Sequence, residues 1–333
     1  MHFFDHFIAI DWSARNSPSP AKPSRDAIWI AEATARGRIR CTYFRTRHAC
    51  HDYLRQRLIR LRKKRVLVGW DFSFGYPKGL AKALRLKEKP AWRAIWDHIS
   101  ELIQDGPTNE NNRFCVGARL NESIMAPSGP FWGVPVGQSG IFLGSKCDFE
   151  FPVPTRKCFL EERRFVETLN LRLQPAWKLA YAGSVGSQAL LGIPRVRALR
   201  DHEQLRGVSR IWPFESLNVS VGGGATGAVI LHAEIYPSLL TLPRRKGQIL
   251  DREQVRSYVA WLQDHQREGT LGQLLDQPWG EKGKIHKRVT EHEGWVLGVV
   301  TERSPEPEYK EVKDKARLAR PAGQNRSYRA ERQ

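Results

Sequence analysis

No stretch of ~18 or more apolar residues occurs anywhere in the 333 residues, which excludes a membrane-crossing helix. Paired cysteines are missing too. The five present (Cys41, Cys50, Cys115, Cys147, Cys158) are odd in number and none stands in a CxxC pair. That argues against a disulfide framework and a structural zinc site, and it fits a reducing compartment. The opening MHFFDHFIAIDW carries no basic leader and no small-residue cleavage site, so the expected location is cytoplasmic. No internal repeat is visible. Hydrophobic residues make up 41% of the chain, enough for a proper core, so global disorder is excluded as well.

What is abundant is positive charge: +19 formally, with a pI near 10.0. Residues 1–65 hold 15 Lys or Arg against 5 acids, and RQRLIRLRKKR (55–65) supplies seven of the bases. A basic surface attracts nucleic acid or nucleotide-like polyanions, and it is equally the composition of a solvated helix face.

Short apolar runs read as strands at 7–12, 27–33, 38–46 and 65–71, with RGR as a hairpin link and helical spacing over 48–64. After residue 76 the strand rhythm stops until about 205. Within that section 90–104 reads as an amphipathic helix, 105–160 as an ordered loop region, and the segment GSVGSQALLGIP as a glycine-rich turn feeding a helix. Strand patterning resumes at 209–216 and 228–237, joined through a glycine-rich hairpin loop (GGG, 222–224). Helices are expected at 252–266 and 286–300, and the last 30 residues read as a mostly disordered basic tail.

Three of the apolar runs end in a carboxylate: Asp11, Asp71 and Glu234. Runs buried on both faces belong to a sheet covered by helices, and their ends lie at the rim where open α/β folds place ligands. On a helical wheel of 286–300, Glu293 shares the apolar stripe of Val289, Val296, Leu297 and Val300, while Glu291 points roughly 200° away at about 100° per residue. Glu293 is therefore the fourth candidate ligand and Glu291 the fallback. Four acids of this kind would hold one or two Mg²⁺ or Mn²⁺ ions, which can activate a water and steady the leaving oxygen of a phosphodiester.

Other residues are candidate substrate contacts. Ser13 and Ser73 lie two positions past Asp11 and Asp71. Ser184 and Ser187, the serines of GSVGSQ, precede Val185 and Gln188 on a turn whose N–H groups could meet a phosphate, although the Lys of a P-loop is absent. Trp132, between the glycines of GPFWG, could stack on a base or pack as a lid. Arg113 and Asn121 flank that region. His232 reads as structural.

The order β-β-β-α-β, with acids ending the first and fourth strands, is that of a ribonuclease H-like domain. The motifs AIDWSA, GWDFSFGYP, NNRF, GPFWG, GSVGSQALLGIP, IWPFES, AEIYPSL, ILDREQV and EGWVLGV together resemble a bacterial family labelled as molybdopterin-guanine dinucleotide synthesis or cobalamin biosynthesis proteins, over about residues 6–300. Asp11, Asp71 and the Glu of EIYP also resemble a larger group with a ribonuclease H-like nuclease fold. That group ends in a helix carrying aspartates where this chain has EHEG.

The expected architecture is an α/β domain over 1–302: a mixed five-stranded ribonuclease H-like sheet, helices on both faces, and a large helical and loop insertion at about 76–205. The expected function is a metal-dependent phosphodiester hydrolase, nuclease-like. The alternatives are a phosphotransferase of the actin and sugar-kinase type and a non-catalytic nucleic-acid or cofactor-binding protein.

Overall fold

The computed structural model describes residues 3–87, 90–126, 129–215, 227–242, 247–276, 279–280, 282–301 and 316–318. Six strands form one sheet: β1 (His6–Asp11), β2 (Ile28–Thr34), β3 (Arg40–Phe44), β4 (Arg65–Trp70), β5 (Ser209–Ile211) and β6 (Val229–Glu234), in the order β3-β2-β1-β4-β6-β5. The first three pair antiparallel, and β4, β6 and β5 run parallel to β1. The main helices are α1 (Arg47–Leu61), α2 (Ala91–Leu102), α3 (Arg113–Ser123), α4 (Phe165–Leu169), α5 (Gly186–Asp201) and α6 (Leu250–Arg267). The fold is α/β.

Side chains alternate across the sheet with a period of two, so each strand feeds two cores. Ile8, Ile10, Val66, Val68, Trp70 and Ile230 pack with apolar residues of α1, α2, α3 and α5. Phe7, Ala9, Leu67, Leu231 and Ala233 face the other way, onto α4 and α6. The spacing of apolar positions in the helices matches this. Trp92, Ile95, Trp96 and Ile99 line one face of α2, and Val255, Tyr258, Val259 and Leu262 line one face of α6.

Two departures bear on the site. The sheet has six strands where five were expected, since the patterned segment at 209–216 supplies Ser209–Ile211 as a short parallel edge strand beside β6. The expected helix at 286–300 ends much earlier. A short helix (Lys284–Arg288) runs into one wider turn, Val289–Glu293, and stops at Gly294, whose φ of 72° lies in the left-handed region that favours glycine. Beyond it the chain is extended: Val296 bridges Glu234, and Val299–Thr301 is a strand pairing with Ala316–Leu318. The wheel that selected Glu293 thus ran past the end of its helix, although Glu293 is buried and Glu291 exposed. The glycine-rich loop 222–224 and, apart from that strand, the tail 303–333 lie outside the described residues.

Candidate functional site

Asp11 and Asp71 meet because of register. β1 and β4 pair in parallel with Ile10 opposite Trp70, so the next residue of each chain falls side by side. Both share the parity of Phe7, Ala9, Leu67 and Gly69, and both turn toward α6. Their carboxyls are hydrogen-bonded to each other, and Asp71 Oδ1 also accepts from Trp12 N at 2.7 Å. Two carboxyls in contact cannot both ionise cheaply, so the pair keeps a proton. Enclosure by protein, then the charges of Asp71, Asp251 and Asp26, holds Asp11 well above the usual carboxylate range. Enclosure raises Asp71 from 3.8 to about 7 against the pull of the Trp12 N–H and the Asp11 hydrogen bond.

The pair lies in a cleft of about 560 Å³, which Trp12, Ser13, Arg15, Asp26, Arg113, the 179–188 segment, Tyr236 and Asp251 also line. Asp251, in the first turn of α6, accepts from Asp26 N at 2.7 Å, and its own carboxyl is raised by enclosure. Both acids escaped the sequence reading, which looked for acids that end strands or share the apolar stripe of the last helix. Because β2 is antiparallel to β1, its start lies beside the end of β1, and an acid just before β2 reaches the same rim. Asp251 was visible only as an acid in a helix's first turn, where a macrodipole alone would favour it.

Glu234 does not join them. Its register partner is Trp70, one residue short of Asp71, so the pleat takes its side chain out of line with the dyad, and with Asp71, Ser73 and Arg164 it lines a separate small pocket. There the buried Arg164 grips it with Nη1 and Nη2 at 2.7 and 2.6 Å, and it accepts from Phe74 N at 2.9 Å. All the donors of Arg164 are used: Nε to Glu167 at 2.6 Å, Nη1 also to Glu293 O at 3.0 Å, and Nη2 also to Ser73 Oγ at 3.2 Å. Glu293 is likewise engaged, accepting from Lys78 N at 2.8 Å, Phe165 N at 2.7 Å and Arg288 Nε at 2.7 Å. The expected set of four ligands thus divides. Asp11 and Asp71 share the cleft floor, while Glu234, Glu293 and Ser73 form an ionic network beneath it that grips the 71–78 loop. Gly75 is required in that loop, since a Cβ there would sit 2.4 Å from Glu293 O.

Of the other candidates, Ser13, Arg113, Ser184 and Ser187 line the cleft. Ser13 Oγ donates to Asp26 O at 3.0 Å and accepts from Arg15 N at 3.3 Å. Trp132 lies away from the cleft under the Lys178 ammonium, 5.3 Å from its ring centre, so it packs rather than offering a stacking platform there; the cleft's aromatics are Trp12, Tyr181 and Tyr236. Asn121 is fully buried and pins the GPFWG loop through Phe131 N, Phe131 O and Phe142 O. His232 is structural: Trp70 Nε1 donates to its Nδ1, Ser209 Oγ meets its Nε2, and burial lowers its pKa to about 3.

The donor set at the dyad is all oxygen, which suits Mg²⁺ or Mn²⁺ rather than zinc. Among the described residues no group of three or more His, Cys, Asp or Glu side chains is arranged to hold a metal ion. A cation here would therefore rest on the two dyad carboxylates, a small protein share that Mg²⁺ accepts when water and substrate oxygens complete its shell. Comparisons with protein-family models, with curated proteins and with solved structures return no match for this chain.

Proposed function

We propose that the cleft is the active site of a metal-dependent phosphodiester hydrolase, nuclease-like, acting on nucleic acid or a nucleotide-containing substrate. The observation that carries this reading is the proton-sharing Asp11–Asp71 pair on adjacent parallel strands at the floor of the cleft. A pair of acids that must keep a proton in order to coexist will exchange that proton for a divalent cation, which relieves the same repulsion. Three antiparallel strands followed by parallel ones, with both acids at the end of β1 and its parallel neighbour, support the ribonuclease H-like reading of the fold.

The residues divide the work. Asp11 and Asp71 would hold Mg²⁺ or Mn²⁺, which when bound supplies electrophilic stabilisation of the phosphoryl oxygens. The Trp12 N–H fixes the orientation of Asp71. Asp251 and Asp26 raise the negative field that draws a cation to this end. Ser13, held by Asp26 O, keeps the loop after β1 folded over the site.

The test is Mn²⁺ titration of wild type against Asp11→Asn, with labelled single- and double-stranded nucleic acids and dinucleotides scored for cleavage. Cleavage needing both metal and Asp11 is expected, with a loss of about a hundredfold or more in the variant. Full retention of hydrolysis in an Asp11→Asn/Asp71→Asn double variant overturns it. The turn 183–186 that opens α5 onto the cleft favours a second reading, a nucleotide-binding phosphotransferase. Calorimetric ATP binding without hydrolysis of any phosphodiester selects that one.

A further inference from the structure

The cleft also holds positive charge that the fold leaves uncompensated. Arg113, at the start of α3, is only 9% exposed. Its Nε donates to Ser187 Oγ at 2.9 Å and its Nη1 to the side-chain oxygens of Asn16 and Asn111, all neutral acceptors, while its Nη2 makes no hydrogen bond among the described residues. Arg15 lines the same space, and its Nε is buried without a partner. Neither arginine has a carboxylate partner among the described residues. The acid that acts on Arg113, Asp105, is already bound by Arg47 at 2.5 Å and Arg195 at 2.7 Å. Burial lowers the pKa of Arg113 to about 10, so the guanidinium is still charged at neutral pH.

The 16-residue helix α5 opens onto the same cleft. Gly186 N donates to Lys178 O, but Ser187 N and Gln188 N have no acceptor among the described residues, and no side chain caps Val185. Ser187 therefore links the two features: its hydroxyl receives Arg113, and its own N–H belongs to the open helix end.

We infer that Arg113, Arg15 and the first N–H groups of α5 form a subsite for a phosphate dianion, the terminal phosphate of a nucleotide or of a polynucleotide end. Two guanidinium groups and a helix terminus match two negative charges better than the single charge of an internal diester. Asp26 and Asp251 repel phosphate from their own part of the cleft, so the arginines and the helix end decide where it binds. The terminal phosphate is held there and the bond to be cut faces the dyad. A volume of about 560 Å³ suits a molecule of nucleotide size. The assignment of this phosphate to the substrate rests on the hydrolase reading; its binding does not.

The test is calorimetric titration of the full chain with pyrophosphate in EDTA, where no hydrolysis occurs. Wild type is expected to bind saturably, and Arg113→Gln and Arg15→Gln each to weaken binding by about tenfold or more. Asp11→Asn is expected to bind as well as wild type or better. Arg113→Gln also removes bonds to Asn16 and Ser187, so circular dichroism accompanies it. Arg15→Gln, whose side chain makes no hydrogen bond among the described residues, decides if Arg113→Gln misfolds. Nucleoside 5′-monophosphate should compete and the bare nucleoside should not. Equal competition by a 5′-phosphorylated oligonucleotide identifies a polymer end, and competition by the mononucleotide alone identifies a free nucleotide. Absence of saturable pyrophosphate binding, or unchanged affinity in folded Arg15→Gln, overturns the subsite. Retained cleavage in the dyad variants with pyrophosphate binding intact overturns the hydrolase reading alone.

Discussion

Burial pushes the Asp71 carboxyl up from 3.8 to about 7, and that difference has a sign that can be measured. A carboxyl whose folded pKa is raised contributes stability that is fully present below the unfolded value and lost as pH rises through the folded one. Without divalent cations the dyad therefore favours the fold at pH 5 and opposes it at pH 8. Asp71→Asn removes the ionisation while an amide oxygen can still accept from Trp12 N. The melting temperature of Asp71→Asn relative to wild type should rise between pH 5 and pH 8 in EDTA, by roughly 1–2 °C for each kcal/mol of relieved repulsion. Mn²⁺ at pH 8 should close that gap by stabilising wild type alone. A gap that stays constant with pH would mean that the two carboxyls do not share a proton.

At the level of elements, the two dyad acids and Glu234 differ by one step of register. Asp71 follows Trp70, whereas Glu234 pairs with it, and the pleat does the rest. This sorting makes Glu234 a positioning residue for the 71–78 loop, and its removal has a distinct signature. Glu234→Gln leaves Arg164 with Glu167 as its remaining carboxylate partner. It should cost about 3–5 kcal/mol in urea unfolding, as broken buried ion pairs do. Mn²⁺ affinity of the folded protein should stay within a factor of about two, unlike Asp71→Asn. Loss of Mn²⁺ binding with the fold intact would return Glu234 to the ligand set. Such distinctions were only half legible in the chain. The apolar runs ending at Asp11 and Asp71 gave the strands and the pairing of the two acids together, because buried strands leave a plain hydrophobic signature. Register is a property of pairs of strands, so no single run could reveal that Glu234 faces away. Arg164, which binds the network together, sits in an aperiodic segment where charge and burial cannot be told apart. Glu293 was found through a helix that Gly294 in fact ends, a right residue for burial reached by a wrong geometry.

At the scale of the whole molecule, the charge of +19 and the cleft are separate features. The basic run 55–65 closes α1 and leads into the start of β4, whereas Asp71 follows its end. Six residues at about 3.3 Å each put the start of the strand roughly 20 Å from the dyad. Retention on a polyanion consequently says nothing about the cleft, since exposed Arg60, Arg62, Lys63 and Lys64 would give it at low salt on any fold. Reversing these four to Glu lowers the net charge by eight units. That variant should lose salt-sensitive retention on DNA at moderate ionic strength while its hydrolysis of a nucleotide-sized substrate holds, because no cleft residue changes. Arg15→Gln should do the reverse, keeping polyanion retention and losing the small phosphate. If the reversed variant loses hydrolysis of a long substrate but not of a short one, the basic end of the sheet is a second contact that delivers polymer to the cleft. If it loses both, the separation of field and site argued from the length of β4 is wrong.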